Sequence, residues 1–109
     1  MTPPADQNHL PEGAARCLHL VAGAGRDAFD DCMSLVAPGD AVVFLDAGVL
    51  QLLRCPAGLP ESPAALYFAA ADLRAHGLLE AALRERARLL DDGEVCDLLV
   101  ACDHCLTWR

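Results

Sequence analysis

Short apolar runs bounded by turn residues alternate along this chain with segments in which apolar residues recur every three or four positions. The first pattern is typical of buried strands and the second of helices that pack on one face. Strands are predicted for three runs: CLHLVA (17–22), AALYFA (64–69) and AVVFLDAG (41–48), the most β-branched of them. Helices are predicted for three segments: RDAFDDCMSLV (26–36), ADLRAHGLL (71–79), where Gly77 is a stop signal, and EVCDLLVAC (94–102).

The remaining segments are shorter. VLQLLRC (49–55) predicts a short helix or turn before a proline-rich connection, AALRERARLL (81–90) predicts a helix that runs into a short strand, and CLTW (105–108) predicts a final strand. Because strands alternate with helices on short connections, we expect an α/β fold, a single small domain with a parallel four- to five-stranded sheet flanked by helices. This domain spans 17–109 and follows a flexible arm, 1–16, that contains three prolines.

Composition excludes several classes of protein. With 109 residues and 54% hydrophobic residues, the chain supports one domain with an ordinary core. Its net charge of −8 argues against direct binding of nucleic acid, since phosphate recognition needs clustered Lys and Arg. No apolar run is long enough to span a bilayer, and the start MTPPADQNHLPEG does not have the pattern of a signal peptide. We therefore expect a cytoplasmic protein without membrane contact and without a bound cofactor.

The six cysteines carry most of the chain's potential chemistry. In a cytoplasmic chain they are more typical of buried thiols or of thiol chemistry than of a disulfide framework. Cys32 lies in the middle of a helix after Asp30 and Asp31, a setting that raises a thiol pKa and makes a poor nucleophile. Cys55 follows Arg54 in a loop, so exposure and a nearby cation make it the more plausible reactive thiol.

The segment CDHC (102–105) has the spacing of a redox pair or of half a zinc site. Thioredoxin-like pairs lie at a helix N-terminus, whereas Cys102 ends a helix and is followed by Asp103. A structural zinc site needs two ligand pairs, and the nearest further cysteine, Cys96, would point away from Cys102 on the same helix. We therefore expect a structural role for CDHC, with redox and metal chemistry as alternatives. Cys17 and Cys96 lie in apolar segments and are expected in the core.

Three other features have structural interpretations. GAGRD (23–27) follows a strand and opens a helix but lacks the third glycine of a dinucleotide-binding motif, so it predicts a tight turn more than an anion site. His19 alternates into a buried strand and is expected to be a hydrogen-bonded core residue. LRERAR (83–88) predicts a solvated helix face; as the densest cationic patch, it is also a candidate surface for an acidic partner.

Four phrases, in order along the chain, resemble the TusB/DsrH subunits of the DsrE/DsrF/DsrH-like sulfur-relay proteins. They are HLV (19–21), similar to the opening strand, SLVAPGDAVVFLDAGV (34–49), similar to the PGD turn and the strand after it, ALYFAAADLRAHGL (65–78), and CLTW (105–108). The resemblance covers about residues 17–108. Two features depart from the family pattern: GAGRD replaces a Ser-Pro, and the N-terminal arm has no counterpart.

The resemblance implies a subunit that joins two paralogous chains, one DsrE/TusD-like and one DsrF/TusC-like, as a heterotrimer doubled into a hexamer. Such an assembly passes persulfide sulfur from a donor protein toward a small acceptor protein, for tRNA wobble-uridine 2-thiolation in one branch and for dissimilatory sulfur oxidation in the other. The main sulfur-carrying cysteine lies on the DsrE/TusD-type partner, so this chain is expected to be structural or auxiliary.

By the same resemblance, Cys32 matches a cysteine that some DsrH-type members carry in the first helix, which makes it the candidate auxiliary sulfur carrier. Cys55 has no counterpart in the family and is the weaker candidate. The alternative function is that of a stand-alone thiol redox or metal-binding protein that uses Cys102 and Cys105.

Overall fold

The fold is an alternation of strands and helices, seen in a computed structural model that describes residues 16–55 and 58–109. Its strands are β1 (Cys17–Val21), β2 (Ala41–Phe44), β3 (Ala65–Ala69), β4 (Arg88–Leu90) and β5 (His104–Trp108). Its helices are α1 (Arg26–Leu35), α2 (Ala70–Ala75), α3 (Leu79–Arg84) and α4 (Asp92–Ala101), with a 3-10 helix over Asp46–Arg54. The predicted arm lies outside the described residues except for Arg16.

The five strands form one sheet in the order β4-β3-β2-β1-β5, and every neighbouring pair is parallel. This confirms the predicted α/β class and parallel sheet. The first strand therefore lies inside the sheet, between β2 and the last strand. Strands β4 and β5 form the two edges.

The two faces of the sheet are covered unequally. One face, which we call the α1 face, packs Val21, Phe44 and Phe68 against α1, the 3-10 helix, α2 and α3. The other, the α4 face, packs Leu18 and Tyr67 with their neighbours against α4. Because side chains alternate along a strand, the parity of each residue in β1 and β5 assigns it to one of these faces.

The second strand is shorter than the sequence predicted. It ends at Phe44 instead of continuing to Gly48, and the 3-10 helix begins at Asp46. Asp46 has a positive φ of 52°, which turns the chain, and its backbone N–H donates to a carboxylate oxygen of Asp72 at 2.7 Å. The apolar pattern continues past Phe44 because the 3-10 helix also buries residues against the sheet, Val49 among them.

The helix predicted over 71–79 ends earlier than predicted, and α3 begins at the last residue of this segment. α2 ends at Ala75, Gly77 follows with a φ of +70°, and the N–H of Leu78 bonds back to the carbonyl of Leu73 at 2.8 Å. The predicted stop at Gly77 is confirmed. The chain then starts α3 at Leu79, because the next apolar residues again face the core.

The cationic segment LRERAR does not form a continuous helix. α3 ends at Arg84, and Arg88 already belongs to β4, where the parallel register sets it beside Tyr67. Arg84 and Arg86 are exposed, as expected for a solvated surface. None of the helices within 16–55 and 58–109 combines the length and the hydropathy of a membrane span.

Candidate functional site

Cys32 lies fully buried in α1, on the α1 face of the sheet. Burial raises the pKa of its thiol from 9.0 to about 12, with smaller contributions from Cys17 and Asp40. The direction agrees with the sequence expectation, but the main cause is desolvation and not the neighbouring Asp30 and Asp31. A thiol in this setting stays protonated and inaccessible at neutral pH.

Cys55 differs from its prediction. It is half-buried at the end of the 3-10 helix, and its Sγ contacts the carbonyl oxygen of Gln51 at 3.6 Å. Burial raises the pKa of its thiol, and the carboxylate of Glu85 raises it further. The expected cation does not help, because the Arg54 guanidinium donates to the carbonyl of Ala24 at 3.0 Å. Adjacency in the sequence did not predict where the arginine side chain points.

Three other thiols gather at the amino ends of β1 and β5. Cys17 begins β1, Cys102 caps the end of α4, and Cys105 is the second residue of β5. Burial raises the pKa of Cys17, and the charges of Asp40, Cys105 and Cys102 raise it further. Burial also raises the pKa of Cys105, followed by the charge of Cys102. The three thiols are therefore close enough to interact electrostatically.

This grouping was not predicted, because nothing in the sequence pattern relates Cys17 to CDHC. The pairing of β1 with β5 creates it, since the register sets Cys17 beside His104 and Leu18 beside Cys105. The N–H of His104 also donates to the carbonyl of Arg16 at 3.1 Å, which fixes the start of the strand pair. Only knowledge of strand order would have revealed it.

Cys96 is exposed on α4, contrary to the expected core position. The helix turns it away from the sheet because Val95 and Leu98 supply the contacts with the α4 face. Within 16–55 and 58–109, no group of three or more His, Cys, Asp or Glu side chains is placed to hold a metal ion. The CDHC segment therefore does not combine with a further side chain of this part of the chain into a metal site.

His19 is a buried, hydrogen-bonded core residue, as predicted. The indole N–H of Trp108 donates to its Nδ1 at 3.1 Å, and its Nε2 lies 3.3 Å from Oδ2 of Asp40. An indole N–H can only donate, so Nδ1 is the acceptor and Nε2 carries the proton that bonds to Asp40. Asp40 also accepts from the backbone N–H groups of Cys17 and Ala37.

The loop after β1 is held in place by the 3-10 helix. The side-chain amide of Gln51 donates to the carbonyls of Gly23 and Gly25 at 3.0 and 2.8 Å. α1 then begins at Arg26 with Gly25 as its N-cap, so GAGRD forms a turn into the helix as predicted. Gln51 was not among the predicted site residues, although a glutamine within the apolar run VLQLL was a visible signal.

A comparison with models of known protein families identifies a match for this chain. The family model described as DsrH like protein matches residues 24–104, well over half of the chain. A search of curated proteins found no match.

Proposed function

Because the chain belongs to the DsrH-like family, we propose that it is a subunit of a heteromeric sulfurtransferase complex that relays persulfide sulfur. Its role is structural or auxiliary, and the main sulfur-carrying cysteine lies on a partner chain. The family match carries this proposal. The burial of Cys32 supports the auxiliary role, since the thiol at the family-related position is inaccessible in the isolated chain.

The proposed partners are two paralogous subunits, one DsrE/TusD-like and one DsrF/TusC-like. A surface suited to them lies around the β5 edge of the sheet. Four of the five residues of β5 are exposed, including Leu106, and on the preceding helix Leu99 and Val100 are exposed at 42% and 87%. An open strand edge beside apolar side chains is a surface that proteins ordinarily cover.

In the proposed relay, a donor protein delivers persulfide sulfur and a small acceptor protein takes it away. At each step a thiolate attacks the outer sulfur of a persulfide. The pathway is tRNA wobble-uridine 2-thiolation or dissimilatory sulfur oxidation, and the subunit itself does not contact nucleic acid. Cys32 is the proposed auxiliary carrier, and it takes part only when partner binding uncovers α1 and supplies positive charge. Cys55 is the weaker candidate, since its thiol pKa is also raised.

The test is a pull-down of the tagged full chain from its source cells, with identification and native mass of the bound proteins. Two paralogous subunits in equal ratio with the chain are the expected result. Persulfidation of Cys32 in that complex, compared with the isolated chain, then tests its auxiliary role. Recovery of the chain alone as a stable monomer or homo-oligomer would overturn the proposed assembly.

A further inference from the structure

Cys102 and Cys105 lie on the same face of the sheet. Cys102 packs with the cluster of the α4 face that contains Leu18 and Val95. Cys105 is paired with Leu18 in the parallel register, and paired residues of neighbouring strands point to the same side. The two thiols are thus separated by the bend at Asp103 and by His104, and both lie on the side of the sheet that α4 covers.

The two thiols differ in their exposure to solvent. Cys105 is exposed on the open edge strand, whereas Cys102 is half-buried and its thiol donates to the carbonyl oxygen of Leu99 at 3.4 Å. A persulfide that reaches this edge therefore meets Cys105 first, from solvent in the isolated chain or from a partner subunit that covers β5 in the complex. Cys102 is positioned behind it as a second thiol.

Cys17 does not share this arrangement. Its neighbours by parity in β1 are His19 and Val21, and Val21 belongs to the cluster of the α1 face. Its side chain thus lies on the other side of the sheet from Leu18 and Cys105. Cys105 and Cys102 are close enough to Cys17 to raise the pKa of its thiol. A disulfide also requires the two Cβ vectors to face each other.

We infer that Cys102 and Cys105 form a persulfide-discharging pair, in which Cys105 accepts sulfur from a persulfide and Cys102 releases it as hydrosulfide. The substrate class rests on the proposed relay function. The pair lies apart from Cys32, and its chemistry ends in a disulfide within the chain instead of transfer to an acceptor. It removes sulfur that the relay has not passed on.

The chemistry balances without a further oxidant. The Cys105 thiolate attacks the outer sulfur of the donor persulfide, the donor S–S bond breaks, and the donor leaves as a thiolate that takes a proton from water. The Cys102 thiolate then attacks Sγ of Cys105, forms the Cys102–Cys105 bond and expels the transferred sulfur with its proton as hydrosulfide. Two thiols are oxidised to a disulfide, and one sulfane sulfur is reduced to sulfide.

The experiment treats the reduced, desalted full chain with glutathione persulfide and follows intact mass, peptide mapping and released sulfide. The expected product is a Cys102–Cys105 disulfide, a loss of two hydrogens, with one sulfide per chain. Cys102→Ser is expected to retain one extra sulfur on Cys105 and to release no sulfide from it. Cys105→Ser is expected to form no disulfide at Cys102.

Two matched controls test the assignment. Cys17→Ser and Cys96→Ser are expected to behave like the parent chain, because neither thiol is the partner of Cys105. A stable persulfide on Cys105 of the parent chain, or loss of the disulfide in Cys17→Ser, would overturn the inference. Since glutathione persulfide replaces the relay donor, a failed pull-down and a failed discharge reaction are separate results.

Discussion

At the residue scale, the group formed by His19, Asp40 and Trp108 shows how a buried polar residue is satisfied. The sequence predicted that His19 would have partners, from its place in a buried strand. It did not identify them, because Trp108 lies 89 positions away and Asp40 lies 21 positions away. Each ring nitrogen of His19 has one partner that matches its donor or acceptor character.

Replacing Trp108 with Phe keeps an aromatic ring but removes the N–H that bonds to His19. Nδ1 of His19 is then buried without a donor, so we expect the free energy of unfolding to fall by roughly 1–3 kcal/mol. Urea denaturation measures this loss. Thr107→Val is the matched control, because Thr107 is exposed on the same strand and its replacement should change stability by less than about 0.5 kcal/mol. Equal stability of Trp108→Phe and the parent would contradict the role of this bond.

Cys32 gives a pH-dependent prediction. Its thiol pKa rises from 9.0 to about 12 in the fold, so the folded chain keeps a proton that the unfolded chain loses. The stabilising contribution is fully present below pH 9.0 and is lost as pH rises toward about 12, with a slope of up to about 1.4 kcal/mol per pH unit. The free energy of unfolding should fall less steeply with pH across this range for Cys32→Ala, in which only the other groups with a raised pKa titrate. An unchanged slope in the variant would refute it.

At the scale of elements, the strands and helices were predictable because their apolar periods are regular, whereas some boundaries depended on contacts between elements. The end of β2 is the clearest case. A Cβ at Gly48 would overlap the carbonyl of Val21, at 2.6 Å from its carbon, so glycine lets the 3-10 helix lie against the end of β1. The sequence shows a glycine there, but not which backbone it approaches.

Gly48→Ala should therefore be among the most damaging small substitutions in the chain. The new methyl meets backbone atoms that cannot move away independently, and we expect a loss of roughly 3 kcal/mol or more in the free energy of unfolding. Gly25→Ala is the matched control, since no atom lies within 4 Å of its Cβ position and its φ is −70°. That variant should stay within about 1 kcal/mol of the parent. Thermal or urea unfolding of both variants tests the contrast, and similar losses would exclude the proposed contact.

At the scale of the whole molecule, the candidate site could be predicted only in part. The family resemblance and the position of Cys32 within a helix follow from local sequence. The gathering of Cys17, Cys102 and Cys105 does not, because it depends on the strand order that sets β5 beside β1. The outward position of Val100 likewise depends on how α4 packs on the sheet.

Val100→Asp tests whether the β5 edge is the surface that meets the partner subunits. Val100 is 87% exposed, so we expect little change in stability but a loss of affinity for the partners of about tenfold or more. Leu83→Asp is the control, since Leu83 is also exposed but lies on α3, which precedes β4 at the other edge of the sheet. The native mass of the complex reconstituted with each variant shows whether the partners are retained. Equal retention of partners by the two variants would show that the interface does not lie at the β5 edge.

The position of β1 inside the sheet, between β2 and β5, also has a consequence for folding kinetics. Three of the pairings join strands that follow one another along the chain, but β1 and β5 meet only after the loop from Val21 to His104 has closed. Closure of such a long loop adds little to the equilibrium cost but slows the search for the native topology. In a nascent chain in which β5 has not yet been synthesised, one edge of β1 is unpaired and His19 lacks its indole donor. We therefore expect the β1–β5 pairing to form late in the folding transition.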